Sequence, residues 1–126
     1  MRFALEFHDS EVRDVTREDG VVRIRFAAAS VRGTDGERGW LPGVVLALCE
    51  ATQADDAPHA FGRLAEGRLR NDDRDIPRPA LPGTLAGRLE LTLRFANGAL
   101  LTLRGRTLAL SLPDDAASLF KEDLSC

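Results

Sequence analysis

From Leu85 to Phe95 the apolar residues Leu85, Leu89, Leu91, Leu93 and Phe95 occupy odd positions, and Arg88, Glu90, Thr92 and Arg94 stand between them. A period of two marks a strand with one face on a core and the other in water. Ala96-Asn97-Gly98 supplies turn chemistry, and an apolar alternation resumes from Leu100 to Leu103. The register follows from the faces. A two-residue turn at Asn97-Gly98 would set Leu93 against Thr102 and Leu91 against Arg104. A three-residue loop pairs Phe95 with Ala99, Leu93 with Leu101 and Leu91 with Leu103, and on the polar face Glu90 with Arg104 and Thr92 with Thr102. The second register keeps an apolar face intact, so it is the one expected, with Gly98 at positive φ.

Beyond Leu103 the phase slips to even positions at Leu108, Leu110 and Leu112, which predicts a β-bulge between Gly105 and Thr107. Pro113 ends the strand because it has no N–H to give the ladder. The first half reads similarly. Met1, Phe3, Leu5 and Phe7 alternate with polar or small residues, Glu18-Asp19-Gly20 reads as a turn, and Val22, Ile24, Phe26 and Ala28 form a second run. Val12 and Val15 are out of phase, which predicts a bulge or break in the first strand. Gly33 to Gly39 reads as a loop. Val44 to Cys49 is a short buried run open to either strand or helix, with strand favoured by Val44-Val45 and the preceding Pro42-Gly43.

Phe61 to Arg70 is a weaker strand, carried by Leu64 and Leu69. Asn71 to Gly83, with three prolines and Asp72, Asp73 and Asp75, reads as the longest loop and the most mobile segment. After Asp114 a short C-terminal helical turn is expected, capped by Asp114 or Asp115, with Leu119, Phe120 and Leu124 as its apolar stripe. Roughly seven or eight short strands result, and the fold class is all-β: one domain over residues 1–126, built as a β-sandwich or a curled, partly closed antiparallel barrel.

Composition narrows what such a domain does. The chain has 126 residues, with 17 basic against 20 acidic side chains, a size suited to one core. Its slight acidity provides no field to gather nucleic acid, and its cationic residues, all arginine except Lys121, are dispersed. Arg23, Arg25, Arg88, Arg94, Arg104 and Arg106 make a charge-balanced sheet surface, and with no tyrosine the stacking platforms of single-strand binders are missing. The longest apolar run stops at Glu50, far short of the ~18–20 residues of a membrane helix. Glu6, His8 and Asp9 fall where a signal peptide needs an apolar block. Two cysteines, Cys49 and Cys126, suggest free thiols in a reducing, cytoplasmic setting, with an interchain bond through Cys126 as the variant reading.

Chemical motifs are sparse. No two histidines share a short spacing, and C-x-x-C and H-E-x-x-H are absent, so neither a metal nor a cofactor is expected. A metal-dependent enzyme would have to centre on His8, Asp9 and His59. Ser10 lacks a nucleophile turn, and Cys49 sits in an apolar run where a thiol is inert. Asp55-Asp56, Asp72-Asp73 with Asp75, and Asp114-Asp115 are carboxylate pairs in expected loops, where such groups are solvated. The glycines of Gly33 to Gly39 lack a P-loop lysine.

What remains is surface. Trp40 can anchor an interface, and Asp72, Asp73 and Asp75 can steer a basic partner. Phe7-His8-Asp9-Ser10-Glu11-Val12, followed by Asp19-Gly20 and the alternation through Phe26, resembles the opening of small bacterial β-rich proteins of unknown function, some classed as polymorphic-toxin immunity proteins. The hairpin Phe95-Ala96-Asn97-Gly98-Ala99-Leu100-Leu101 is similar to their closing half, while Gly33 to Gly83 takes no part in the likeness. The resemblance implies a non-catalytic cytoplasmic protein that neutralises a toxin by binding it, and it carries over no catalytic residue. The expectation is therefore a protein-binding domain that uses Trp40, Asp72, Asp73 and Asp75. A small metal-dependent enzyme and a homo-oligomeric structural protein are the competing readings.

Overall fold

A computed structural model describes residues 2–53 and 59–122. Its strands are β1 (Phe3–Glu18), β2 (Val21–Gly33), β3 (Arg38–Leu41), β4 (Val45–Cys49), β5 (Thr52–Gln53), β6 (Gly62–Asn71), β7 (Arg74–Asp75), β8 (Ala80–Leu81), β9 (Gly83–Phe95), β10 (Leu100–Ser111) and β11 (Lys121–Glu122), with one helical turn, α1 (Ala116–Leu119), before the last. Six of them close an antiparallel barrel. Around it β1 pairs with β2, β2 with β4, β4 with β10, β10 with β9, β9 with β6, and β6 returns to β1. The short strands β3, β11, β8, β5 and β7 lie outside this ring. Closure removes the exposed edges of the main strands, and the outer strands pair with parts that reach beyond it.

The β9–β10 hairpin has the three-residue loop. Leu93 faces Leu101, Leu91 faces Leu103, Glu90 faces Arg104, and the Phe95 N–H donates to the Ala99 carbonyl at 2.9 Å, with Gly98 at φ +94°. The ladder slips between Gly105 and Thr107. Counted along the ladder, the extra residue belongs to β9, where Gly87 and Arg88 together face Arg106. In β1 three shifts separate Glu6 from Asp14, the irregularity implied by the misplaced valines. Val45–Cys49 is a strand, since β2 and β10 supply partners on both its sides.

Three expectations need correction. The seven or eight strands become eleven among the described residues, because five elements of two to four residues are too short to show a period. Asn71–Gly83 is not a long loop: it holds β7, β8 and the start of β9, tied down by Ile76 N–H to Leu69 O at 2.8 Å and Leu5 N–H to Pro79 O at 2.9 Å. Asp115 stands at the N-cap of α1 but makes no side-chain capping bond, and the ring of Phe120 packs on Phe3 with centroids 5.2 Å apart. Asp55, Asp56, Leu124 and Cys126 lie outside the described residues, whereas Cys49 is a free, half-buried thiol. No helix among the described residues is long and apolar enough to cross a membrane.

The interior is filled. Leu5, Ile24, Leu46, Leu64, Leu93, Phe95 and Leu101 are fully or almost fully buried, and each stabilises the fold by about 1.5–3 kcal/mol through removal from water. A small barrel packed this way holds side chains where a wider one holds a ligand.

Candidate functional site

The outer wall over β6, β9 and β10 concentrates the polar chemistry. Strand alternation that sends Leu69, Leu91 and Leu103 inward sends the residues between them outward. Register then lines them up in rows: Arg68–Thr92–Thr102, Arg70–Glu90–Arg104, and Glu66–Arg94–Leu100. Opposite charges meet across strands, with Arg94 Nε 3.1 Å from Glu66 and Arg104 Nε 3.2 Å from Glu90. Such cross-strand pairs each contribute well under about 1 kcal/mol, so they arrange the surface more than they stabilise it.

An open groove of about 520 Å³ runs along this wall between Glu66, Gly67, Arg68, Glu90, Thr92 and Arg94. A second hollow of about 200 Å³, lined by Arg70, Asp73, Arg88, Leu89, Glu90 and Arg104, shares Glu90 with it. The two form one continuous charged surface.

Asp72, Asp73 and Asp75 are brought together at the rim of this wall. Asp72 and Asp73 form a two-residue turn with φ of +51° and +68°, joining Asn71 to Arg74, and the left-handed region suits aspartate better than most side chains. Their carboxylates face arginines. The Arg88 N–H donates to Asp72 at 2.9 Å, the Arg88 guanidinium lies 3.5 Å from Asp73, and Asp75 accepts from Arg68 Nε at 3.0 Å. The Arg68 hydrogen bond holds the Asp75 carboxyl below the usual carboxylate range, and Asp75 in turn raises the Arg68 guanidinium. The three aspartates are thus fixed members of a mosaic of both signs.

Trp40 is on β3, half-buried, between Ser30 of β2 and Lys121 of β11, on a strand that does not pair with β7. The structure does not bring it to the aspartates. His8 is exposed with Nδ1 3.2 Å from Asp9, and the Arg63 guanidinium lies 3.1 Å from the same carboxylate. His59 packs edge-on against Phe61 at 6.1 Å. Among the described residues no group of three or more His, Cys, Asp and Glu side chains is placed to hold a metal ion. Arg23 and Arg25 are on β2, with β4 between them and the β9–β10 wall, so the expected six-arginine face divides.

Glu66, Arg68, Arg70 and Leu100 escaped the sequence reading. The β6 residues needed the partner register: only opposite Arg94, Thr92 and Glu90 does their order become a charge ladder. Leu100 is exposed at the end of its row, and Phe61 is exposed nearby, since Asn97 in the β9–β10 turn donates to the carbonyls of His59 and Phe61. These two give the wall an apolar corner.

No protein-family model matches the chain, and neither the curated proteins nor the solved structures give a significant match.

Proposed function

We propose that this domain is a non-catalytic, cytoplasmic protein-binding module that docks through the β6–β9–β10 wall, in the manner of an immunity protein covering a toxin. The observation that carries this reading is the wall itself: an open groove in which arginines and carboxylates alternate at fixed register, held by ion pairs and flanked by exposed Leu100 and Phe61. Pre-set charges lose little side-chain freedom on docking, and a patterned surface selects a partner whose charges interlock with it. The packed barrel interior supports a surface function. The paired state of Asp72, Asp73 and Asp75 supports recognition by pattern over simple attraction of a basic partner, and Trp40 belongs to a different part of the surface.

The test places a photo-crosslinking side chain at Thr92, in the middle of the wall, and another at Arg23 on β2, and expresses each protein with the product of the neighbouring gene. A defined one-to-one adduct from Thr92 and none from Arg23, lost on Arg94→Glu, is the expected result. An adduct from Arg23 with none from Thr92 overturns the reading.

A further inference from the structure

We propose that the outward face of the β1–β2–β3 sheet binds a dianionic oxyanion, a phosphate or a phosphate monoester, between Arg32, Arg38 and Arg78 above Glu6. This site borders the charged wall, since a hollow of about 170 Å³ is lined by its Glu6 and Arg78 together with Glu66 and Gly67, but it does not depend on the wall's function. Register builds it. Ala4, Arg32 and Arg38 form one row across β1, β2 and β3, and Glu6, Ser30 and Trp40 form the next, all on the side opposite the buried Leu5, Val31 and Leu41. Arg78 arrives from the segment before β8, which is anchored where the Leu5 N–H donates to the Pro79 carbonyl.

All three guanidiniums point at one carboxylate. Arg32 Nε lies 3.1 Å and Arg38 Nε 3.5 Å from Glu6 Oε1, and Arg78 Nε lies 3.9 Å from Oε2. Glu6 is the carboxylate in ion-pairing reach of these arginines among the described residues. Three cations on one anion leave a surplus of two positive charges. Hydrogen bonding is equally unbalanced, because each guanidinium has five N–H donors and a carboxylate accepts about four bonds.

Exposure shows where the surplus faces. The Glu6 side chain is 17% exposed, whereas those of Arg38 and Arg78 are 50% and 58% exposed, so the carboxylate forms the floor and the free guanidinium edges form the rim. The wall differs: there Arg94 and Arg104 each face their own glutamate. A doubly charged oxyanion satisfies both the charge and the donors, and planar guanidinium forks suit its tetrahedral oxygens. A singly charged carboxylate leaves half the surplus unmet.

The test titrates the full chain at pH 8, where phosphate is the dianion, with inorganic phosphate, methyl phosphate and acetate at matched ionic strength. Arginine Nε–Hε resonances and the fluorescence of Trp40, the one tryptophan, are the readouts. Saturable shifts are expected at Arg32, Arg38 and Arg78 and none at Arg94, with phosphate bound roughly ten-fold or more tightly than acetate. Arg38→Gln and Arg78→Gln each weaken binding by about ten-fold, whereas Arg23→Gln, at the far end of β2, leaves it unchanged. Both replaced side chains are at least half exposed, so these variants test binding and not folding. Binding of methyl phosphate assigns the site to monoesters, and its exclusion assigns it to the free ion. Equal affinity for acetate, shifts shared by Arg94, or wild-type binding by both site variants overturns the proposal.

Discussion

Ser10 and Ser30 are joined across the β1–β2 hairpin by a bond that no strand ladder makes: the Ser30 backbone N–H donates to the Ser10 hydroxyl at 2.8 Å. The same hydroxyl donates to the Glu6 carbonyl at 2.7 Å. Glu6 and Ser30 are the last regular rung before β1 bulges, and the next, Glu11 with Ala28, skips four residues on β1 against one on β2. A fully buried side chain therefore stands in for the missing backbone pairing at this bend.

Ser10→Ala removes that substitute and leaves a buried N–H and a carbonyl short of a partner. The expected loss is about 1–3 kcal/mol of unfolding free energy, measured by urea titration. A change below about 0.5 kcal/mol would show that water or a backbone shift satisfies both groups.

The Arg68–Asp75 pair predicts an acid-side effect. Asp75 titrates below its ordinary range because Arg68 hydrogen-bonds the ionised form. A carboxylate with a lowered folded-state pKa contributes stability that is present above its unfolded value and is lost as pH falls through its folded value. Carbon-detected NMR titration should place Asp75 below the ordinary value of a free aspartate, and Arg68→Gln should raise it toward that value. The pair is exposed, so its effect on the urea midpoint near neutral pH is small. An Asp75 titration untouched by Arg68→Gln refutes the assignment.

How much of this was readable beforehand depends on the reach of each feature along the chain. The β9–β10 hairpin was legible because one apolar face over many residues permits a single register, and Leu91 could meet only Leu103. Barrel closure was not, because β1 and β6 meet in two rungs, Glu11 with Arg63 and Val12 with Gly62, at a bulge that disguises the phase. Asp72 and Asp73 form a turn inside the expected Asn71–Gly83 loop, but much of that segment is strand, and Leu5 and Arg88 hold it from strands distant in sequence. Arg32 lies beside Glu6 because β2 runs on past Ala28, where the visible alternation ends. Arg38 and Arg78 joined them through β3 and the Pro79 anchor, which no local pattern announces.

Gly105 and Gly67 sit where the barrel has no room for a side chain. A Cβ on Gly105 would come within 2.6 Å of the Leu48 side chain and 2.8 Å of the Cys49 carbonyl oxygen, and one on Gly67 within 2.6 Å of Phe7. Since a backbone oxygen cannot rotate aside, Gly105→Ala should cost about 1–3 kcal/mol by thermal or urea unfolding. Gly67→Ala should cost a similar amount by displacing Phe7, and Phe7→Leu in that background should recover part of it. Wild-type stability for Gly105→Ala would place β4 and β10 further apart than the structure does.

Glu90 is the one negative charge in the row Arg70–Glu90–Arg104, and Arg104 Nε lies 3.2 Å from its carboxylate. Neutralising it loses an exposed pair, so Glu90→Gln should change stability by less than about 1 kcal/mol. Reversing it with Glu90→Lys puts three cations side by side across three strands, where like charges repel directly. That repulsion acts through solvent and is screened over about 8–10 Å at ordinary ionic strength. Glu90→Lys should therefore be the less stable variant in low salt and recover much of the difference in molar sodium chloride, with Glu90→Gln responding little. Urea midpoints of wild type and both variants at the two salt concentrations decide it. A Glu90→Lys deficit that salt leaves intact would mean that Glu90 acts through packing against Leu89 and its neighbours, and that the charge ladder does not shape the energetics of this wall.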